Sequence, residues 1–371
     1  MGLNKILDFL FITISIIHIL IYRMNNLFYS LLPTFFLNLL LVPILIIVIK
    51  KKFFLDYSHE GPQKIHNQPT ARIGGIIIYS LLLINTLIFY KLNDDITKIV
   101  IIFILIAIVS IREDIFSNTY PLTRLIFIFF ASGILLYISD LNIKFEIFIL
   151  ENFLNIKLIQ IIFFILLIST VVNGFNIIDG SNGHCTLISI STILIISFLA
   201  AKNFEIDFLK SFIPIIFLAI FFLFFNFPKG LIFLGDTGAY LFGWYLSCSL
   251  LILLENLDNS LSEIIFLNIL FYPIFETIFS FIRKIFLRKS PFKPDSLHLH
   301  LMMIDYLKNQ KKLNNFNYLT TIYLMPIWIT PLFILPIIYK NNHYLIAFLI
   351  IQVVVYISFY ILLKKLRNIK I

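Results

Sequence analysis

Long apolar runs alternate with short polar segments along the whole chain, and this pattern predicts helices that cross a membrane. A helical span through the hydrocarbon core needs about 20 residues, so the shorter runs are expected to be tilted helices or half-helices. The predicted helices cover residues 6–22, 31–49, 73–90, 96–111, 122–139, 158–172, 185–201, 210–226, 237–255, 262–282, 318–339 and 344–363. We interpret the chain as an all-α, polytopic membrane protein with about 10–12 transmembrane helices in a single domain over residues 1–371.

Composition agrees with this interpretation. The chain has 371 residues, of which 60% are hydrophobic and 13% are charged, and its mean hydropathy is +0.97. Both cysteines, Cys185 and Cys248, fall in apolar runs, so neither a disulfide framework nor a cysteine metal site is expected. No small-residue cleavage site follows the run 6–22, which is therefore predicted to remain as the first helix.

The predicted loops on one side of the membrane carry most of the 29 Lys and Arg residues. Cytoplasmic loops are enriched in these residues, so this side is predicted to face the cytoplasm. The net charge of +9 is accordingly interpreted as membrane orientation and not as nucleic-acid binding. The predicted cytoplasmic segments lie near 50–72, 112–121, 173–184, 227–236 and 283–317.

Clusters of polar residues fall on this same side, although the side was assigned from Lys and Arg counts alone. Because the clusters meet at one membrane face, we expect them to form a shared site with the active centre facing the cytoplasm. The clusters are residues 63–75, Arg112–Asp114 together with Arg124, residues 173–183, residues 233–240 and residues 294–300.

Each cluster also has a purely structural explanation. Lys64, His66 and Arg72 could anchor the chain at lipid headgroups, and the pair Glu113–Asp114 could end a helix. Asp236 is predicted to cap the N-terminus of the helix that follows it.

Two further groups also have alternative explanations. Asn173, Asn176 and Asp179 are three residues apart, so on a helix they share one face, as a structural polar seam also would. His298 and His300 point the same way in an extended segment, but no third ligand with suitable spacing is near, so zinc is not expected.

The residue types favour phosphoryl transfer at a membrane surface. Asn176 and Asp236 offer hard oxygen ligands for a Mg²⁺ ion that takes its remaining ligands from water and phosphates. Phosphate charge could be neutralised by the cationic and imidazole side chains, namely Lys64, Arg72, Arg124, His298 and His300. Such a site could bring a charged diphosphate to a lipid-borne reactant, with positioning and charge neutralisation supplying the catalysis.

Taken together, the clusters resemble the polyprenyl-phosphate sugar-1-phosphate transferases. This superfamily includes the phospho-MurNAc-pentapeptide transferases and the undecaprenyl-phosphate GlcNAc-1-phosphate transferases. Its marks are KxHxxPxPRxGG, an Asp-Asp pair, NxxNxxDGxDG, GDxG and an HxHH-type loop, and counterparts of all of them occur in order between Lys64 and His300. The resemblance covers most of the chain.

Some positions depart from the motifs of the superfamily. Glu113 stands at the first position of the Asp-Asp pair, Ala71 replaces a proline, and Asn182 replaces the second Asp of DGxDG. Leu301 stands where some members have a further histidine. These departures look more like the branch that initiates O-antigen or capsule than the peptidoglycan enzyme, and they leave open any role that requires a carboxylate at position 182.

The resemblance implies roles for individual residues. It implies Mg²⁺, with Mn²⁺ as an alternative, on Asn176 and Asp236, and it puts Asp179 beside the nucleotide or the metal. Asp114 is expected near the lipid phosphate, as a general base, an orienting group or a metal-holding group. Glu113 joins the catalytic set, and the expected substrate-binding residues are Lys64, His66, Arg72, Arg124, Asn173, Asn182, His298 and His300.

The function implied by the resemblance is transfer of a sugar-1-phosphate from a UDP-sugar, with an N-acetylated hexosamine as the expected sugar, to polyprenyl phosphate. UMP would be released, and the product would start a cell-envelope glycan in the bacterial cytoplasmic membrane. The alternative is a transporter or flippase, although transporters carry their polar residues near the bilayer midplane and often in two related halves. The sequence leaves open which sugar is transferred and whether the protein forms a homodimer.

Overall fold

The structure is a computed structural model that describes residues 31–52, 54–56, 69–141, 143, 156–203, 205–257, 261–291, 293, 295–309 and 316–368. Its helices are α1 (Leu31–Lys51), α2 (Gly74–Phe89), α3 (Asp95–Ile102), α4 (Ile104–Phe116), α5 (Pro121–Ser139), α6 (Lys157–Ile178), α7 (His184–Lys202), α8 (Ile206–Asn226), α9 (Gly235–Asn256), α10 (Ile264–Ile269), α11 (Phe271–Phe286), α12 (Leu299–Asn309), α13 (Phe316–Ile338) and α14 (Asn342–Asn368). Strands β1 (Leu55–Asp56) and β2 (Thr70–Ala71) pair antiparallel, with Leu55 opposite Ala71.

Within the described ranges, eight helices are long and apolar enough to cross a membrane, and α2 is a shorter apolar helix. The eight are α1, α5, α6, α7, α8, α9, α13 and α14. The predicted all-α, multi-pass membrane architecture is thereby confirmed. The predicted first helix, 6–22, lies outside the described residues.

Two of the predicted helices are interrupted. The run 96–111 becomes α3 and α4, which break at Phe103, where the indole Nε1–H of Trp244 donates to the Ile99 carbonyl at 2.8 Å. The same carbonyl also accepts the N–H of Phe103 at 3.2 Å, so it serves two donors at the break. The run 262–282 becomes α10 and α11, and Pro273 lacks the N–H that would continue the ladder across that junction.

Helix α9 lies at the centre of the fold. Every residue from Gly235 to Leu254 is buried, and α9 packs against α2, α3, α4, α6 and α7. An apolar helix surrounded on all sides is the core of its bundle, so the position of its N-terminus is determined by its neighbours.

Two segments differ from the sequence-based boundaries. Helix α6 does not end at Val172 but continues to Ile178, so Asn173 and Asn176 lie on a helix and not in a loop. The Asn173 Nδ2 group donates to the Ser169 carbonyl one turn earlier at 2.8 Å, which a helical backbone allows. Helix α12 lies inside the segment 283–317 that the sequence pattern predicts as a loop.

The N-termini of α2 and α9 meet backbone to backbone. Phe233 N–H donates to the Ala71 carbonyl at 2.8 Å, and the N–H of Gly75 donates to Leu234 O at 2.7 Å. A Cβ added to Gly75 would lie 2.1 Å from the backbone nitrogen of Gly238, so the contact requires glycine at position 75. This contact places Arg72, just before α2, beside the first turn of α9.

We predict that Gly75→Ala destabilises the protein, because the added methyl would collide with backbone that cannot move aside as a flexible side chain would. Overpacking of this kind costs about 1–3 kcal/mol, and the cost is expected at or above the upper end here. Thermal unfolding in detergent would measure it. Gly133→Ala is the matched control, since its added Cβ meets only Ile165 Cδ1 at 3.8 Å. Equal melting temperatures for the two variants would contradict the docking described above.

Candidate active site

Asp236 is the centre of the charged cluster at the start of α9. Its side chain is nearly fully buried, and its two carboxylate oxygens accept hydrogen bonds from the guanidinium groups of Arg72 and Arg124. Arg72 precedes α2, and Arg124 lies in the first turn of α5. Three segments that are far apart in the sequence therefore meet at one carboxylate.

Asp114, in the last turn of α4, caps the N-terminus of α9. Its Oδ1 accepts the backbone N–H of Asp236 at 2.7 Å, and its Oδ2 accepts the N–H of Thr237 at 2.9 Å. The first N–H groups of a helix have no partner within the helix, so this carboxylate satisfies two of them. Arg72 Nε lies 3.3 Å from Asp114 Oδ1 and compensates its buried charge.

The expectation that Asp236 caps its own helix is wrong. The helix begins at Gly235, Leu234 occupies the N-cap position without a side-chain hydrogen bond, and Asp236 lies inside the first turn. Gly235 has φ +77°, and a Cβ there would lie 2.7 Å from Asp114 Oδ1. Glycine is therefore needed both for the backbone conformation and for the approach of the cap from α4.

The end of α6 brings a second set of predicted residues to this cluster. The Asn176 side chain hydrogen-bonds to the Asp236 carboxylate. Asp179 follows the last helical residue and interacts electrostatically with Arg72, Asp236 and Asp114. Burial raises the pKa of Asp179 to about 7; Arg72 lowers that pKa, and the two neighbouring carboxylates raise it. Asn173, one turn before Asn176, is half-buried, and its side chain donates to the Ser169 carbonyl of the same helix.

His300 approaches the same region from α12. A Cβ added to Gly180 would lie 2.1 Å from His300 Nε2, so the imidazole ring covers the residue next to Asp179. His300 is 2% exposed, and burial, reinforced by His298, lowers its pKa to about 3. His300 is thus a neutral group at working pH, which can form hydrogen bonds but supplies no charge.

His298 is oriented differently. Its Nδ1 lies 3.0 Å from Glu276 Oε1, and its Nε2 lies 3.6 Å from Asp295 Oδ1. Its ring stacks on that of His300 with centroids 5.9 Å apart. Both ring nitrogens of His298 therefore face carboxylates of the protein.

Two other predicted site residues form hydrogen bonds outside the Asp236 cluster. Glu113 Oε2 accepts the N–H of Thr119 at 2.8 Å and thereby closes the turn between α4 and α5. Asn182 donates to the Pro228 carbonyl at 2.8 Å, and its own N–H bonds to the Asn317 side chain at 2.6 Å. Lys64 and His66 lie outside the described residues.

The donor set fits a magnesium ion of the kind that binds substrate phosphates. Asn176 and Asp236 are already in contact, and Asp179 is close enough to interact with both arginine and carboxylate charges of the cluster. Among the residues that the structure describes, no group of three or more His, Cys, Asp or Glu side chains forms a ready-made cage. Mg²⁺ needs no such cage, since it is commonly held by one or two carboxylates together with water and phosphates.

Sequence reasoning missed Glu276 and the groups around it. Glu276 is fully buried on α11, where it bonds to His298 and to the hydroxyl of Tyr356. The signal was present, because a carboxylate within the apolar run 262–282 is costly and marks a functional position by default.

Comparison with known proteins identifies relatives of one kind. Residues 96–254, which include Asp114, Arg124, Asn176, Asp179 and Asp236, match the sequence model of the family described as Glycosyl transferase family 4. Helices α4, α5 and α6 lie within this match, which also covers α9 from its first residue to Leu254.

Curated relatives agree with that match. The chain is 26% identical to the undecaprenyl-phosphate alpha-N-acetylglucosaminyl 1-phosphate transferase of Thermotoga maritima, over 71% of this chain and 77% of that protein. It is 26% identical to the phospho-N-acetylmuramoyl-pentapeptide-transferase of Petrotoga mobilis, over 67% of this chain and 82% of that protein. It is 30% identical to the phospho-N-acetylmuramoyl-pentapeptide-transferase of Clostridium botulinum, over 60% of this chain and 73% of that protein.

We predict that Asp114→Asn lowers both stability and activity, because an amide has one acceptor where the α9 N-terminus needs two. A buried N–H left without a partner costs about 1–3 kcal/mol, which a melting curve in detergent would detect. Activity is expected to fall by a similar factor at every pH, since Asp236 would be displaced.

The control for this variant is Asp95→Asn, which removes only the ion pair with Lys98 at 2.8 Å. A general base predicts a different result for Asp114→Asn, namely an unchanged melting temperature and an activity that recovers at high pH. That combination would contradict the capping role.

We predict that His300 makes the fold sensitive to acid. Its pKa is lowered in the folded protein, so the stability that depends on the neutral ring is complete above about pH 6.5 and is lost as the pH falls toward 3. Between pH 7.5 and 5, the wild type should lose about 2 kcal/mol more free energy of unfolding than His300→Gln. The exposed His343→Gln is the control, and an equal loss in all three proteins would refute the burial effect.

Proposed function

Since the chain belongs to the polyprenyl-phosphate sugar-1-phosphate transferases of glycosyl transferase family 4, we propose that it transfers a sugar-1-phosphate from a UDP-sugar to polyprenyl phosphate. An N-acetylated hexosamine is the sugar that the names of the relatives favour, and undecaprenyl phosphate is the favoured lipid. The product would be the first lipid-linked intermediate of a cell-envelope glycan.

The observation that carries this proposal is the Asp236 carboxylate between Arg72 and Arg124 at the end of a membrane helix. Guanidinium groups bind carboxylate and phosphate oxygens with the same fork of donors. A diphosphate could therefore take over donors that Asp236 engages, while Asp236 turns toward a cation. A charged donor and a lipid acceptor can meet only where such a site lies at the membrane surface.

In the proposed reaction, an oxygen of the polyprenyl phosphate forms a bond to the phosphorus that carries the sugar. The bond from that phosphorus to the bridging oxygen breaks, and UMP leaves with the electron pair. A phosphate monoester is already largely dianionic at pH 7, because its second pKa is near 6, so removal of a proton contributes little. Positioning and charge compensation are expected to supply most of the rate enhancement.

The residues of the cluster would have different roles in this reaction. Asp236 and Asn176 would hold Mg²⁺, or Mn²⁺ in its place, and the ion would offset charge on the diphosphate when bound. Arg72 and Arg124 would bind phosphate oxygens, and His300 would hydrogen-bond to the diphosphate or the sugar. Asp114 would keep Asp236 in place through the α9 N-terminus.

The orientation of the site is also a proposal. The excess of Lys and Arg in loops on the Asp236 side favours a cytoplasmic site, where UDP-sugars are available. A transporter would carry its polar cluster near the bilayer midplane, whereas this cluster joins helix ends, namely the N-termini of α2, α5 and α9 and the C-termini of α4 and α6.

Release of UMP by the purified protein would test the function. The assay contains detergent micelles, undecaprenyl phosphate, Mg²⁺ and a panel of UDP-sugars. We expect release that requires both the lipid and one UDP-sugar and that stops when EDTA removes the metal. Folded protein that releases no UMP with any UDP-sugar would overturn the proposal, and uptake of label into vesicles without UMP release would indicate transport.

We predict that Asp236→Asn lowers turnover by at least about 100-fold, because an amide pairs poorly with two guanidinium groups and is a weak Mg²⁺ ligand. Manganese binding in the presence of a UDP-sugar and the absence of the lipid acceptor, followed by electron paramagnetic resonance, should weaken in parallel and gives a readout independent of turnover. The matched control is Asp140→Asn, a carboxylate paired with Lys157 at the exposed end of α5. Near-normal turnover in Asp236→Asn would exclude Asp236 from the site.

A further inference from the structure

Glu276 is a buried carboxylate that joins three elements. It is 0% exposed on α11, and its Oε1 lies 3.0 Å from His298 Nδ1 and accepts the Leu299 N–H at 3.4 Å. Its Oε2 accepts the hydroxyl of Tyr356, on α14, at 2.7 Å. An ionised carboxylate can only accept hydrogen bonds, so an ionised Glu276 requires the His298 tautomer that carries its proton on Nδ1.

A second contact holds the segment before α12, two turns further along α11. The Arg283 guanidinium donates to both oxygens of Asp295 at 3.1 and 3.0 Å and to the Leu297 carbonyl at 2.6 Å. It also lies 3.3 Å from the hydroxyl of Tyr360 on α14. The segment that begins at Asp295 and leads into α12 is therefore anchored directly before the His-Leu-His sequence, by Arg283, and within it, by Glu276.

These ties determine where His300 lies. His298 is held between Glu276 and Asp295, and the His300 ring stacked on it covers Gly180 beside Asp179. His298 is thus turned toward the protein, and His300 is turned toward the residues proposed to bind substrate.

Helix α11 also fixes the other half of the site. A Cβ added to Gly174 of α6 would lie 2.3 Å from the Pro273 carbonyl, so the two helices touch backbone to backbone. Asn173 and Asn176 flank this contact on α6, while Glu276 lies one turn after Pro273 on α11. One helix therefore sets the separation between the α6 side chains and the His-Leu-His loop.

We propose that Glu276 is a positioning residue, which holds His298 and thereby places His300 over Asp179 in the sugar-phosphate site, with Tyr356 of α14 as its second support. This inference rests on the proposed function. It adds Glu276 and helix α14 to the residues that the proposed reaction depends on, although neither would touch the metal or the phosphates. Displacement of a substrate-positioning group by about 1 Å can cost about 100-fold in rate, so the loss of this support should be visible in turnover.

Two substitutions of Glu276 separate position from charge. Glu276→Leu removes both acceptors at similar volume, whereas Glu276→Gln keeps an acceptor for His298 and removes only the charge. Tyr356→Phe removes the support from α14 and leaves the carboxylate. The matched control is Tyr245→Phe, which also loses one buried hydroxyl bond, to the Ser211 carbonyl at 2.6 Å, away from the loop.

Site-resolved labelling of histidines with diethyl pyrocarbonate, read by peptide mass spectrometry, reports loop position without any turnover. His298 and His300 are buried in the wild type, and the exposed His343 serves as the internal reference. In Glu276→Leu, we expect labelling of His298 and His300 to rise at least tenfold. We also expect kcat/KM for the UDP-sugar to fall about 100-fold. The Mg²⁺ concentration for half-maximal activity should not change, because Asp236 and Asn176 are untouched.

Glu276→Gln should keep the histidines protected and should retain activity within about tenfold of the wild type. Tyr356→Phe should raise the labelling of His298 and His300 by less than Glu276→Leu does, and Tyr245→Phe should not raise it. The Tyr356→Phe result tests the proposal even if Glu276→Leu does not fold. Wild-type protection in folded Glu276→Leu and in Tyr356→Phe would overturn the proposal. So would a Glu276→Gln variant as inactive as Glu276→Leu with its histidines still protected. Absence of UMP release from the wild type would refute the proposed function alone, since the labelling result does not depend on it.

Discussion

The site depends on one buried carboxylate at the N-terminus of the central helix. Asp114 accepts the first backbone N–H groups of α9, and Arg72 compensates its charge. A charge buried without such partners would cost several kcal/mol, so Asp114 couples α4 to α9 and to the segment before α2. The same arrangement puts Asp236 within reach of Arg72 and Arg124. The capping contact that assembles the bundle is therefore also the contact that places the proposed diphosphate-binding groups.

A second constraint comes from helix packing around α11. Gly174 allows α11 to touch α6 directly, and Glu276 and Arg283 on α11 hold the His-Leu-His loop. Membrane helices associate through close contacts at small residues and through buried polar bonds, because apolar contact alone does not distinguish a neighbouring helix from lipid. The polar residues of α11 thus have a packing role in the bundle, and that role fixes the loop above the site. The C-terminal helix α14 takes part through Tyr356 and Tyr360.

The apolar pattern predicted most helices, because a membrane span requires a long apolar run whatever its neighbours are. Residue chemistry pointed to Arg72, Arg124, Asn176, Asp179 and Asp236, which the fold brings together from distant segments. Local rules failed where a distant group supplied the missing partner. Asp236 has the sequence context of an N-cap, yet Asp114 from α4 performs that task. Helix α6 extends past Val172 because its polar end is packed inside the bundle. The role of Glu276 could not be predicted from its neighbours in the sequence, because its partners, His298 and Tyr356, come from distant segments.

The most direct measurement of the central claim is a cryo-EM structure of the protein with Mg²⁺ and a UDP-sugar, in the absence of the lipid acceptor. We predict density for the diphosphate against Arg72 and Arg124, with a cation at Asp236 and Asn176 and the sugar beneath His300. The Asp114 cap should be unchanged. Diphosphate density at another place, with Asp236 still paired to both arginines, would contradict the account.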